Sequence, residues 1–171
     1  MDPLSNYAIH FVGLKEGLHE FNFEIDDTFF KAFDYNEFNN SKINCLISLE
    51  KKSTLMNLKF NYIGLINVNC DISNEPFDFS INLSTDLVVK FGKMFNDEND
   101  EIIILSHGSY KIDVSQYIYE MIVLSVPLKK IHPGIEKGTL KTEVLKRLEE
   151  LSPKKTKQIK DPRWDKLKDL L

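Results

Sequence analysis

Residues 77–83 read Phe-Asp-Phe-Ser-Ile-Asn-Leu, with an apolar residue at every second position and a polar residue between. This period of two is typical of a β-strand that has one face in a core and the other in water. Because turn-forming segments separate several such stretches, we predict an antiparallel sheet of about seven strands, either open or partly barrel-like. The other stretches are 7–12, 21–25, 43–49, 55–62, 65–68, 87–91 and 101–105.

The periodicity changes after residue 112. Asp113 and Gln116 form a capping-box pattern, and the residues that follow are apolar on nearly every side of a helix. We therefore predict a buried helix over about residues 113–126 that packs on the sheet, and Pro127 is expected to end it.

Three further helices are expected. A short one, capped by Asp26 or Asp27, interrupts the strands, and the others run over 139–151 and from residue 161. Strands followed by helices indicate an α+β fold with a helical C-terminal tail.

The charges of the chain are unevenly distributed. The 171 residues have a formal net charge of −4. Residues 1–128 contain 9 Lys and 19 Asp or Glu, a balance of −10, whereas residues 129–171 contain 13 Lys or Arg and 7 Asp or Glu, a balance of +6. We interpret this as an acidic β-rich core and a basic helical extension within a single structural domain. The basic part either meets phosphate or an acidic surface, or serves as a solvated end that keeps the chain soluble.

No residue pattern in the sequence predicts catalysis or a cofactor. Nucleotide-binding glycine loops, nucleophile elbows and zinc-protease motifs do not occur. Ser106 and His107 are neighbours in an extended segment, so their side chains point to opposite faces and do not form a catalytic pair. The acidic segment 97–101 lacks the spacing of a calcium loop, and Cys45 and Cys70 are expected to be small buried residues.

The sequence also bears on location. No apolar run approaches the ~20 residues of a membrane span, and the N-terminus lacks the features of a signal peptide. We expect a cytoplasmic protein with no metal, no membrane association and no small-molecule substrate.

Four features of the sequence, in order, resemble the YceD family, whose members are described as large ribosomal RNA subunit accumulation proteins. The resemblance covers about residues 18–171, and its most specific parts are the last two features. The features are Gly64-Leu65-Ile66 leading to Cys70-Asp71, Leu87 to Gly92 followed by the acidic segment, Ile118-Tyr119-Glu120 leading to Leu124–Leu128, and Asp161-Pro162-Arg163-Trp164 with Leu167.

This chain departs from the family pattern in its cysteines. Many members carry a second cysteine where this chain has Ser73, and a cysteine cluster where residues 129–160 contain none. If those cysteines bind zinc in the relatives, this chain lacks the site, because a structural zinc needs about four nitrogen or sulfur ligands.

The resemblance implies a non-enzymatic role in the synthesis, accumulation or processing of 23S rRNA, with that RNA or a large-subunit precursor as the partner. An acidic core is poorly suited to wrapping RNA, so we expect contact through the extension alone. The alternative is an acidic, chaperone-like protein that binds a basic ribosomal protein without touching RNA. The residues expected to contact RNA or the partner are Lys154, Lys155, Lys157, Lys160 and Arg163.

The terminal motif also has a local physical explanation. Asp161 is a good helix cap, and Pro162 fits the first helical position, where no N–H is needed. Trp164, Leu167 and Leu171 then form one apolar stripe on a helix that is too short to be stable alone. We expect Trp164 to pack on its own chain and Arg163 to contact the partner.

Overall fold

The computed structural model describes residues 3–99 and 101–152. These residues form two compact units, the first ending at His132 and the second beginning at Pro133. The elements of the first unit are a 3-10 helix (Pro3–Tyr7), β1 (Ala8–His10), β2 (Gly17–Asp26), α1 (Asp27–Ala32), β3 (Asn40–Lys51), β4 (Leu55–Asn69), β5 (Pro76–Gly92), β6 (Asn96–Asn99), β7 (Ile102–Ser106), β8 (Lys111–Asp113) and α2 (Ser115–Ser125). Those of the second unit are α3 (Pro133–Glu136) and α4 (Glu143–Leu151).

The strands of the described ranges form two sheets. The larger has six strands in the order β2-β3-β4-β5-β7-β6, and β1 pairs with β8 in a separate two-stranded sheet. Neighbouring strands are antiparallel except for β5 and β7, which are parallel. β6 and β7 form an antiparallel hairpin, and β7 lies between β6 and β5.

The predicted α+β class is confirmed, and β2 to β5 form an antiparallel meander as expected. The described part of the chain has eight strands rather than about seven, and its larger sheet has two edges, β2 and β6. Neither the predicted strand number nor the partly barrel-like curl is confirmed.

Two strands are much longer than the sequence pattern suggests. β4 has 15 residues and joins the stretches predicted at 55–62 and 65–68, while β5 has 17 and joins those at 77–83 and 87–91. The two strands pair without interruption from Leu55 opposite Lys90 to Asn69 opposite Pro76. Hydrogen bonds between the paired strands therefore keep the backbone extended at the small and polar residues where the sequence pattern predicts that a strand ends.

The helix boundaries follow local capping. The Asp26 carboxylate accepts hydrogen bonds from the N–H groups of Thr28 and Phe29, so Asp26 is the cap of α1. The predicted helix over 113–126 is observed as α2, with Val114 at the cap position rather than Asp113. The Asp113 carboxylate still accepts a hydrogen bond from the Ser115 N–H at 2.9 Å.

In the second unit, the helix predicted from residue 139 begins only at Glu143. Thr142 precedes it and accepts a hydrogen bond from the Leu145 N–H. Of the helices in the described ranges, none combines the length and the apolar character needed to cross a membrane.

One face of the larger sheet is buried and contacts the helices. Along β3, the inward residues Ile43, Cys45, Ile47 and Leu49 are at most 2% exposed, whereas their outward neighbours are polar or partly exposed. α1 contacts β2 and β3, and α2 contacts β5. The opposite face is therefore the one from which the side chains of β2 to β5 point outward.

Candidate functional site

Cys70 and Asp71 are two of the described residues that carry the family resemblance, and they begin the turn between β4 and β5. The Cys70 N–H donates a hydrogen bond to the Glu75 carbonyl at 2.9 Å, and the Asn74 N–H donates one to the Cys70 carbonyl at 2.8 Å. Asn74 has a φ of 57°, a left-handed conformation that asparagine tolerates better than most residues. The turn is therefore tight, and it holds Cys70 and Asp71 at the end of β4.

Asp71 binds a segment that is distant in sequence. Its carboxylate accepts a hydrogen bond from the Lys130 N–H at 2.6 Å, and its own N–H donates one to the Lys130 carbonyl at 2.8 Å. Lys130 follows α2, and its ammonium lies 3.8 Å from the carboxylate of Glu37. The turn thus holds a segment that follows α2 by five residues, and we call Cys70, Asp71, Lys130 and His132 the clamp.

The Cys70 thiol is the second contact of the clamp. Its Sγ accepts a hydrogen bond from the His132 N–H at 3.2 Å. Cys70 is only 2% exposed, so this bond is shielded from water. Burial opposes ionisation, but hydrogen bonds from the Ser73 hydroxyl and from the N–H groups of Ser73, His132 and Ile72 outweigh it and lower the pKa of Cys70 from 9.0 to about 7. Cys70 is buried as expected, and it also acts as a hydrogen-bond acceptor.

Cys45 differs from Cys70 in its surroundings. It lies on the inward face of β3 with no exposed surface, and burial raises the pKa of its thiol to about 12. Both cysteines are free. Cys45 is therefore a protonated core residue.

The groups around Cys70 do not fit a zinc site. Ser73 is buried beside Cys70, and the other close groups are backbone N–H donors, which offer protons rather than lone pairs. Across residues 3–99 and 101–152, no three His, Cys, Asp or Glu side chains converge as metal ligands would.

The side chains of Ser106 and His107 do not form the hydrogen bond that joins a nucleophile to its general base. The Ser106 hydroxyl lies 3.1 Å from that of Ser109, and the His107 N–H donates a hydrogen bond to the Gly92 carbonyl at 2.9 Å. Most of the acidic segment 97–101 belongs to the hairpin of β6 and β7 rather than to a free loop.

All of the predicted partner-contact residues, and the other residues of the terminal motif, lie outside the described residues. These are Lys154, Lys155, Lys157, Lys160, Asp161, Pro162, Arg163 and Trp164. Conversely, sequence reasoning does not single out Lys130 or His132. Both join the clamp through backbone N–H groups, which every residue except proline has, so the residue type carries no signal.

These features define an α+β protein in which two motif residues hold the segment that leads out of the first unit. The chain belongs to the YceD family: the profile of the large ribosomal RNA subunit accumulation protein YceD matches residues 58–171, two thirds of the chain. The resemblance seen in the sequence is thereby confirmed from residue 58 onward, and over residues 18–57 it stays a prediction. No curated protein and no solved structure shows a significant match to the chain.

Proposed function

We propose that this chain is a non-enzymatic cytoplasmic factor in the biogenesis of the large ribosomal subunit, which promotes the synthesis, accumulation or processing of 23S rRNA. The match to the YceD family over residues 58–171 carries this proposal, because it includes both Cys70-Asp71 and the terminal Asp-Pro-Arg-Trp motif. The partner is 23S rRNA or a large-subunit precursor that contains it.

The charge distribution supports a division of labour between the two parts of the chain. The core over 1–128 has a balance of −10 and repels RNA phosphates, whereas residues 129–171 have a balance of +6. We therefore assign RNA contact to the extension. The contact residues in this proposal are Lys154, Lys155, Lys157, Lys160 and Arg163.

The clamp lies next to the start of the extension and supports this assignment. Asp71 and Cys70 bind Lys130 and His132, which are the residues immediately before the second unit. Two motif residues thus determine the point at which the chain leaves the acidic core.

A quadruple variant tests RNA contact. Changing the four lysines of 154–160 to Glu should abolish or greatly weaken binding to 23S rRNA fragments without changing the melting temperature. Each lost phosphate contact should reduce the slope of log affinity against log salt by roughly 0.7–0.9. The matched control changes four exposed lysines of the acidic core, Lys31, Lys59, Lys93 and Lys111, to Glu.

The control should retain more RNA affinity than the tail variant. If the tail variant binds RNA as tightly as the parent, the lysines serve only solubility. In cells, deletion of the gene should lower the ratio of large to small subunits in a sucrose gradient, and an unchanged ratio would refute the role in biogenesis.

A second candidate function follows from the charge of the core. A protein with a balance of −10 over residues 1–128 is suited to holding a basic ribosomal protein as a chaperone does, with no contact to RNA. This candidate predicts that the quadruple tail variant still supports normal subunit assembly.

Two substitutions in the terminal motif distinguish residues that pack on the chain from residues that bind the partner. Trp164→Ala should lower the free energy of unfolding by ~3–5 kcal/mol if Trp164 packs on its own chain, as large aromatic truncations in cores do. Arg163→Ala should leave stability unchanged but impair subunit assembly. A fully competent Arg163→Ala variant would contradict the partner role of Arg163.

A further inference from the structure

The outward face of the larger sheet carries a groove across β2, β3 and β4. Its volume is about 650 Å³, within the range of ~300–1,000 Å³ that is usual for binding sites. An adjoining depression of about 310 Å³ shares Asn40, Lys42 and Leu65 with it and adds Asn67 and Asp78. We call the two together the outer groove, and its other outward side chains are Glu24, Asp26, Asn44 and Ile63.

The apolar side chains of the outer groove are exposed on a central strand of the sheet. Ile63 is 66% exposed and Leu65 is 50% exposed, and both point outward from β4, a central strand of the sheet. Leu46 on β3, a diagonal neighbour of Ile63, is exposed as well. Single exposed apolar residues are common, but adjacent ones on a polar face are typical of a contact surface.

Gly64 lies between the two exposed residues. A Cβ at this position would collide with the carbonyl oxygen of Lys42 and the Cα of Ile43, so only glycine lets β4 lie against β3 at this point. Gly64 and Ile43 also belong to the lining of the groove, and because the Ile43 side chain is buried, both residues contribute mainly backbone.

The charged part of the outer groove is acidic. Glu24, Asp26 and Asp78 line it, against Lys42 as the single cation of the two linings. A hydrogen bond from the Thr28 hydroxyl lowers the pKa of Asp26, which keeps its carboxylate ionised at neutral pH. Carboxylates repel RNA phosphates and attract Lys and Arg, so the electrostatics of this face favour a cationic protein segment.

We propose that the outer groove binds an extended segment of a basic protein in which Lys or Arg alternates with apolar residues. The apolar side chains cover Ile63 and Leu65, and the cationic ones meet Glu24 and Asp78. The amides of Asn40 and Asn44 are within the same lining and supply donors and acceptors for the backbone of the segment, whereas the Asn67 amide already donates a hydrogen bond to Asp78 and accepts one from Asn39. The inference rests on the proposed function, which makes that protein a component of the large ribosomal subunit.

Charge reversal tests the proposal. The probes are individually purified basic proteins of the large subunit, titrated into the full-length chain by calorimetry. At least one should bind, and Glu24→Lys with Asp78→Lys should weaken its affinity by about tenfold or more. The control is Glu20→Lys with Asp86→Lys, which makes the same charge change at exposed positions of the same sheet face outside the groove. It should weaken affinity by less than about threefold, because the charges lie farther from the bound segment.

A matched pair tests the apolar contact. Ile63→Ser should weaken the same binding by about tenfold, as the loss of a buried interface anchor does, while Leu18→Ser should not. Leu18 is also 66% exposed on an outward position but lies outside the groove. If any variant fails to fold, chemical-shift mapping on the parent chain replaces it, and the shifted amides should be those of Lys42, Ile63 and Leu65.

The possible outcomes separate this proposal from the proposed function. Equal effects of groove and control variants, an absence of binding by every basic protein, or RNA binding that depends on the groove would overturn it. If groove variants restore a normal subunit ratio in a deletion strain, the groove proposal fails and the role in biogenesis stands. If deletion itself leaves the subunit ratio unchanged, the role in biogenesis fails whatever the groove binds.

Discussion

The substitution Asp71→Ala tests whether the clamp is a structural element. Asp71 makes two hydrogen bonds to Lys130, one through its carboxylate at 2.6 Å and one through its N–H at 2.8 Å. The alanine side chain removes the first bond and leaves the second, because the backbone is unchanged. The substitution therefore isolates the contribution of the carboxylate.

The expected magnitude follows from the surroundings of this bond. Hydrogen bonds to charged groups contribute about 1.5–3 kcal/mol when they are buried. Asp71 is exposed and Lys130 is half-buried, so water compensates part of the loss. We expect the free energy of unfolding to fall by about 1–2 kcal/mol, which for a chain of this size lowers the melting temperature by ~2–8 °C.

Two measurements check this prediction. Urea unfolding followed by circular dichroism gives the change in stability, and amide hydrogen exchange shows whether the Lys130 N–H has lost its protection. Asp71→Asn should have a smaller effect, because its amide oxygen still accepts the bond. Asp86→Ala, at an exposed position of β5, is the control and should stay within about 0.5 kcal/mol of the parent. If Asp71→Ala matches that control and the Lys130 amide stays protected, the carboxylate does not hold the segment.

Three further predictions concern Gly64, Cys70 and zinc. Gly64→Ala should destabilise the chain by about 1–3 kcal/mol in urea unfolding because its Cβ meets the β3 backbone, whereas Gly13→Ala, which meets no atom, should be nearly neutral. Because the pKa of Cys70 falls from 9.0 to about 7 on folding, stability should rise by roughly 1–3 kcal/mol between pH 7 and pH 9, and the rise should be lost in Cys70→Ala. A slope that Cys70→Ala leaves unchanged would assign the pH dependence to another group. The purified protein should contain no stoichiometric zinc and should melt at the same temperature with and without EDTA; one zinc per chain, with unfolding on chelation, would contradict this expectation.

The tertiary structure decided how the strands are joined and paired. The parallel contact between β5 and β7 is invisible in the sequence, because period-two alternation reports which residues share a face but not the direction of the neighbouring strand. The same limit explains why two pairs of short predicted strands are single long ones, since ladder partners supplied by β3 and β5 carry β4 through Gly64. The clamp and the outer groove have the same origin. The clamp needs backbone groups of residues 59 apart in the chain, and the groove needs outward positions of several strands brought side by side.

By itself, the sequence determined the features that depend on near neighbours and on composition. Alternating residues identified the β-rich core, and the Asp26 cap of α1 and the end of α2 before Pro127 follow from contacts within one helical turn. The family could also be recognised from sequence motifs such as Cys70-Asp71, because a motif depends only on the order of residues along the chain. The sequence did not show which residues Cys70 and Asp71 bind, because their hydrogen bonds to Lys130 and His132 form only when folding brings the two segments together.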